Sequence, residues 1–512
     1  MSSNDILMMT AIALYLLGML GIGIYFSKKN EDAGDFYLGG RTLGPFVTAM
    51  SAEASDMSSW LLMGLPGVAY LSGVASASWT AIGLAIGTYV NWLLIAKRIR
   101  TYTHQIGAIT IPEFFSKRYH DKKNILNFFA AVMIIIFFIP YTASGFAACG
   151  KLFSTLFGVD YFRAMIVSAA VIVGYTALGG FLAASTTDLI QSIIMSIALV
   201  VILWYGTYLA GGVDSVISNA KSMPGYLSFL NTYEPEAKAS APYNFLNVLS
   251  TFAWGLGYFG MPHILLRFMA IGDKNKLTLS RRVATIWVVI SLGVAVIIGI
   301  VGSGMTANGT IPYLEGATSE TIIVKIAHLL SSHGSIFSLL AGLILAGILA
   351  ATMSTADSQL LAASSGVSQN IARDFLKIQM SEKKAILISR LTVLSIAVIG
   401  IVLAADPDNS VFEIVSFAWG GFGATFGPVV LCALFWKNSN KYGALAGLLA
   451  GAVMIFLWKY AIRPMGGLWD TYELLPAFLF ALLAVFVVSK LTGAPEHAVQ
   501  EEYDRYKANL GS

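Results

Sequence analysis

Residues 48–70 read TAMSAEASDMSSWLLMGLPGVAY, and this stretch decides the fold. It is long enough to cross a bilayer, which takes about 20 residues at about 1.5 Å each. Yet it places Glu53 and Asp56 at membrane depth and carries Gly64-Leu65-Pro66-Gly67 beyond them. Glycine and proline weaken the backbone ladder. Open backbone is tolerated at that depth only where it lines a cavity or is enclosed by protein. A discontinuous helix is therefore predicted, with Gly64–Gly67 as its weak point. Residues 251–268, TFAWGLGYFGMPHILLRF, repeat the theme with Gly255, Gly257, Gly260 and Pro262.

The rest of the chain supplies the membrane. Of 512 residues 56% are hydrophobic and 12% charged, with a mean hydropathy of +0.72. Soluble domains carry about 25% charged residues, so a soluble enzyme, a nucleic-acid binder and a disordered scaffold are excluded. Forty-nine glycines and 12% aromatics agree with a membrane helix bundle. The net charge of +4 is small and scattered, and indicates no nucleic-acid partner. Cys149 and Cys432 lie in apolar runs, too few for a disulfide framework or a thiolate metal site, and read as core residues.

About thirteen spans are predicted by length and hydropathy, near 6–27, 44–73, 75–96, 124–150, 163–185, 187–211, 244–271, 282–305, 335–365, 385–404, 410–436, 441–461 and 472–491. The first has only Asp5 as a charge before it and no basic leader, so it reads as a retained span rather than a signal peptide. With the N-terminus outside, every one of the 32 basic residues except Lys151, Arg163, Lys221, Lys238, Lys325, Lys459 and Arg463 falls on the cytoplasmic side. That bias predicts an odd number of spans and a cytoplasmic C-terminus. The organisation expected is one transmembrane domain over 1–493 and a short, solvated, helical tail over 494–512. External loops are expected at 212–243 and 306–334. An interfacial helix is expected over 111–123, with Phe114 and Phe115 facing lipid.

The two discontinuous spans stand five apart and run in opposite directions. This is the spacing of two inverted five-helix repeats, spans two to six (about 44–211) and seven to eleven (about 244–436). Carboxylates at bilayer depth cost about 2.5–3.5 kcal/mol and mark ion or substrate paths. Four fall within or beside apolar segments: Glu53, Asp56, Asp188 and Asp357. No lysine or arginine is expected at comparable depth. Asp188 reads equally as a helix cap after Thr186-Thr187. Residues 348–365, ILAATMSTADSQLLAASS, crowd Ser354, Thr355, Asp357 and Ser358 into about one turn. Hydroxyls near an acid suit a hard monovalent cation, although such hydroxyls also bond back to their own helix. Of the histidines only His263 lies deep, and it reads as a packed residue.

These stretches, with FYLGGRTLGPFVTAMSA (36–52), YTASG (141–145), GGFLA (179–183), TDLIQ (187–191) and ATMSTADSQLL (351–361), resemble the solute:sodium symporter family and favour its proline-transporting branch. The resemblance runs from about residue 12 to 490. It implies an all-α, LeuT-type 5+5 inverted-repeat transporter with peripheral helices, working by alternating access in a bacterial-type inner membrane. It implies sodium as the coupling ion, no further cofactor and no enzyme activity. Sodium ligands implied by the match are the carbonyls of Ala54, Met57 and Ala351 and the hydroxyls of Ser354 and Thr355, with Asp56 beside them. L-Proline would lie against Ser58, Tyr141, Trp254, Tyr258 and Pro262. Flat aromatic walls suit its ring, and amides at a broken-helix end suit its carboxylate.

The chain departs from the family pattern at Glu53, Ser59 and Asp357. Glu53 would couple a proton, assist a second cation, or pair with Arg41. Asp188 aligns with a family acid tied to a further cation site in some members. Rival solutes are pantothenate, a compatible solute or a sugar acid. A transporter-like sensor is the remoter alternative, and the short tail argues against it.

Overall fold

In the computed structural model, which describes residues 2–27 and 33–511, nearly every segment is helical. The chain opens with α1 (Ser3–Ser27) and a short α2 (Ala33–Leu38), then α3 (Pro45–Asp56) and α4 (Leu65–Ser72). Next come α5 (Val74–Asn91), α6 (Lys97–Gln105), α7 (Ile111–Arg118), α8 (Ile125–Phe157) and the long α9 (Tyr161–Leu209). Outside this first half lie α10 (Val213–Ser222) and a hairpin of β1 (Asn231–Glu234) and β2 (Ala239–Pro242). The second half runs through α11 (Phe245–Phe252), α12 (Pro262–Ala270), α13 (Leu277–Ala307), α14 (Ile322–Ser331) and α15 (Ser335–Ser365). It closes with α16 (Glu382–Leu403), α17 (Val411–Phe435), α18 (Lys441–Leu457), α19 (Leu474–Leu491) and α20 (His497–Gly511).

Among the described residues ten helices are long and apolar enough to cross a membrane. They account for every expected span except those at 44–73, 163–185 and 244–271. Each of these three is interrupted, at Met57–Ser59, at Gly180 and at Ala253–Met261 respectively. Exposed side chains such as Leu14, Val200, Trp204, Leu391 and Val402 form a surface that only lipid tails satisfy. The most enclosed spans are α15 and α17, and the interrupted spans at 44–73 and 244–271 each pack on both.

Several local expectations are corrected. The fifth and sixth spans are one helical run kinked at Gly180 (φ 71°, ψ −176°), a conformation that glycine alone adopts readily. Asp188 therefore sits mid-helix and caps nothing. Phe114 and Phe115 are fully buried: Phe114 meets the edge of Tyr102 at 5.7 Å and Phe115 stacks on Phe426 at 6.1 Å. Helix α7 is thus tucked beneath the bundle. The C-terminal helix is not merely solvated either, because Tyr503 and Tyr506 are buried and both donate to the Leu434 carbonyl at 3.2 Å. The loop at 212–243 contains the hairpin and a plug, Tyr226, whose hydroxyl donates to the Ala69 carbonyl at 2.8 Å. Cys149 and Cys432 are buried free thiols, as read. Lys28 and Lys29, used in orienting the chain, lie outside the described residues.

Candidate functional site

Helix α3 ends at Asp56 because Met57 (φ −76°, ψ 63°) leaves helical space. The Ser58 N–H then reaches the Asp56 carbonyl at 2.8 Å, an inverse γ-turn centred on Met57. The break thus falls straight after the 12 residues of α3, not at Gly64–Gly67. Pro66 lies within a helical run that continues from Trp60 to Ser72, just past its π-helical turn Trp60–Gly64. Gly64 and Gly67 serve packing instead: a Cβ on Gly64 would lie 3.0 Å from Phe412 Cβ, and one on Gly67 2.8 Å from Ser319 Oγ. Ser58, two residues after Asp56, competes for the backbone through its Oγ, which accepts from the Trp60 amide, and favours the break.

A helix end leaves carbonyls without helical partners. Ser354 Oγ on α15 donates to the freed Ala54 carbonyl at 2.7 Å and to its own Ala351 carbonyl at 3.1 Å. Thr355 Oγ1 donates to the same Ala351 carbonyl at 3.1 Å. Four of the five oxygens named from the sequence are therefore gathered where α3 stops, and Met57, the fifth residue, is wholly buried beside them. The negative end of the α3 dipole points at this cluster, which favours a cation there.

Asp56 stands on the other side of the break. Its Oδ2 accepts from the Tyr258 hydroxyl at 2.5 Å, and its carbonyl accepts from the Tyr141 hydroxyl at 3.2 Å. Ser58 Oγ accepts from the Trp60 amide at 3.4 Å. The second interrupted span supplies the opposite wall: Ala253–Gly260 is a 3-10 segment, Met261 is extended, and Pro262 starts α12. Gly257 is demanded by contact, since a Cβ there would fall 2.0 Å from Trp419 Nε1. Trp254 sits in an aromatic box of Phe412 (5.1 Å), Tyr472 (5.3 Å), Trp60 (5.9 Å) and Trp419 (6.4 Å). Ser58, Tyr141, Trp254, Tyr258 and Pro262 are all buried, so this wall is closed to both sides. The sequence reading missed Trp60, Phe412, Trp419 and Tyr472; only the fold brings them to Trp254.

The remaining acids part company. Asp188 pairs with Arg267 at 3.1 Å, both fully buried, which corrects the expectation that no basic residue lies at depth. Arg267 follows Pro262 by five residues in α12, so the break sets it inside the bundle instead of at the membrane edge. Its guanidinium also donates to Ser51 Oγ (3.0 Å), Ser358 Oγ (2.5 Å) and the His263 carbonyl (3.0 Å). The His263 ring packs against Phe138 at 5.7 Å. Asp357 turns away from the hydroxyl cluster and accepts from Thr176 on α9. Glu53 accepts from Trp92 Nε1 at 2.8 Å and does not meet Arg41. Arg41 instead holds the carbonyls of Met269 (2.7 Å), Ala108 (2.6 Å) and Thr103 (3.2 Å). Partial burial, then Arg100, lowers its guanidinium to about 10, so it remains a cation near neutrality. Ser59 is buried, its hydroxyl without a partner.

Two interrupted helices around a buried oxygen cluster, set within apolar spans, are the construction of a secondary transporter. A model of the sodium:solute symporter family matches residues 36–451. The sodium/proline symporter of Salmonella typhimurium is 40% identical over 509 residues, covering 99% of this chain and 97% of that protein. The high-affinity proline transporter PutP of Bacillus subtilis is 40% identical over 499 residues, covering 96% of this chain and all (100%) of that protein. The chain belongs to the sodium:solute symporter family. In fold it is similar to a substrate-bound, outward-open sodium-coupled sialic acid symporter (TM-score 0.76, 17% identity, covering 96% of this chain and 99% of that one). It is also similar to Mhp1, a nucleobase-cation-symport-1 family transporter (TM-score 0.54, 14% identity, covering 92% and 98%).

Proposed function

We propose that the chain couples the entry of sodium to the uptake of L-proline by alternating access. About thirteen spans, counting the interrupted ones, would form one domain over 1–493. Spans two to six (about 44–211) and seven to eleven (about 244–436) would be the inverted repeats. The protein would sit in the plasma membrane with its N-terminus outside and the tail 494–512 in the cytoplasm.

The observation that carries this reading is the junction of α3 and α15, where Ser354 and Thr355 share the carbonyls of Ala54 and Ala351. Sodium would take the oxygens of Ala54, Met57, Ala351, Ser354 and Thr355, replacing hydroxyl-to-carbonyl bonds with ion contacts. Asp56 supplies the nearby negative charge. L-Proline would lie across the break against Ser58, Tyr141, Trp254, Tyr258 and Pro262, its ring on the aromatic faces and its carboxylate toward the amides that open the Trp60 segment. Sodium pins the end of α3 to α15 and so orders the Ser58 side of the pocket. Each ligand then tightens the other by the same factor. Asp188, whose charge is met by Arg267, serves in this reading as a structural anchor.

The test is labelled L-proline uptake into proteoliposomes with imposed ion gradients. An inward sodium gradient is expected to drive accumulation. Uptake indifferent to sodium, or seen only with pantothenate or another solute, overturns the assignment.

A further inference from the structure

One group of buried polar atoms has no part in that cycle. Glu53 is 1% exposed, and only its Oε1 is engaged, by Trp92. Its Oε2 makes no hydrogen bond, and neither does Oδ1 of Asp56, one helical turn further on. On α5, Thr88 and Asn91 are both at most 1% exposed. Thr88 Oγ1 lies beside the Tyr258 hydroxyl without a well-formed hydrogen bond, and both polar atoms of the Asn91 amide are unpartnered. Thr88 shares a helix face with Trp92, four residues on, and with Asn91, three residues on. That face is pressed on the interrupted span, since a Cβ on Gly87 would lie 2.5 Å from Gly255 Cα. The Trp92 ring, 4.4 Å from Phe268, closes the far end.

The unengaged oxygens of Glu53, Asp56 and Thr88 therefore lie about the Tyr258 hydroxyl, and the unengaged amide oxygen of Asn91 lies one turn along α5 from Thr88. They come from two carboxylates, a hydroxyl and an amide. Among the described residues no lysine, arginine or histidine pairs with Glu53 or Asp56; the deep guanidinium of Arg267 is spent on Asp188. Two carboxylates of like charge one turn apart cannot both stay ionised there without a positive partner. An all-oxygen donor set without sulfur or imidazole selects a hard cation.

We propose that Glu53, Thr88 and Asn91, with Oδ1 of Asp56, form a second site for a hard monovalent cation, distinct from the Ala54–Ser354 cluster and on the opposite side of the end of α3. It rests on the sodium-coupled reading above and adds a second ion to it. Asp56 stands between the two sites, so filling one favours ordering of the break that the other needs.

The test is equilibrium binding of radiolabelled sodium to the purified full-length protein, counted at saturation. The wild type is expected to hold about two ions per chain. At the sodium concentration that just saturates the wild type, Glu53→Gln and Thr88→Val are each expected to hold about one, and so is Ser354→Ala, which weakens the other site about 10- to 100-fold. A wild-type count of about one, or a count of about two kept by Glu53→Gln, overturns the second site, and the wild-type count needs no variant to fold. Static-head accumulation in proteoliposomes gives an independent readout. A tenfold sodium gradient sustains about 100-fold solute accumulation with two coupled ions and about 10-fold with one. A sodium count of about two with no L-proline uptake would overturn the solute assignment and support the second site.

Discussion

Arg267 Nη2 lies 3.1 Å from Asp188 Oδ2, with neither side chain reaching the surface. Through this pair and its bonds to Ser51 and Ser358, one guanidinium ties together α3, α9, α12 and α15. Two of the four, α3 and α15, carry the oxygen cluster. The guanidinium is thus a fixed internal cation already matched by Asp188, while the cluster at Ala54 and Ser354 is left to a mobile one.

Breaking such a pair from one side leaves a charge in the interior and costs about 3–5 kcal/mol, whereas replacing both partners is close to neutral. Arg267→Met is therefore expected to lower the thermal stability of the purified protein sharply and to abolish transport. Arg267→Met combined with Asp188→Asn should recover most of the stability. A double variant as unstable as the single one would show that the guanidinium acts through its serine contacts instead.

Ser354 and Thr355 offer the only side-chain oxygens in the proposed sodium set. Losing one hydroxyl to a charged partner costs about 1.5–3 kcal/mol, or about 10- to 100-fold in affinity. Ser354→Ala and Thr355→Ala are each expected to raise the sodium concentration for half-maximal L-proline uptake by that factor, and Thr355→Ser to restore it. The measurement is uptake against external sodium at fixed proline.

The sequence made the spans, the two interruptions and the oxygen residues legible, because length, glycine–proline content and misplaced acids are local signals. It misplaced the first break, since Gly64 and Gly67 look like helix breakers until Phe412 and Ser319 are seen packed against them. Arg267 was written in the same motif as Pro262, but its depth follows from where the interrupted helix restarts. The box around Trp254 draws on Trp60, Phe412, Trp419 and Tyr472, four residues scattered along the chain, and no pattern within one segment announces it. Phe114 and Phe115 carry the same lesson, for an amphipathic turn faces protein as readily as lipid.

Tyr258 links the two interrupted helices through its bond to Asp56 Oδ2. Tyr258→Phe keeps the ring and removes the donor to a buried carboxylate, at a cost of about 1–3 kcal/mol. The expected outcome is at least a several-fold loss in both sodium and L-proline affinity with the fold preserved. Loss of one affinity alone would place the hydroxyl on a single ligand instead of at the joint between them.

Gly257 tests whether the second break must lie flat against α17. A methyl there would meet Trp419 Nε1 at 2.0 Å, and that nitrogen already donates to the Trp254 carbonyl at 2.8 Å. The indole cannot retreat without giving up this bond and its edge contact with Tyr258 at 5.0 Å. Overpacking of this kind costs about 1–3 kcal/mol. Gly257→Ala is expected to weaken L-proline uptake at least tenfold. Gly257→Ala combined with Trp419→Phe, which removes the clashing nitrogen, should recover part of it. If the single variant transports normally, the 253–260 segment stands clear of α17 during the cycle, and the closed aromatic box is not the form that sets the substrate affinity.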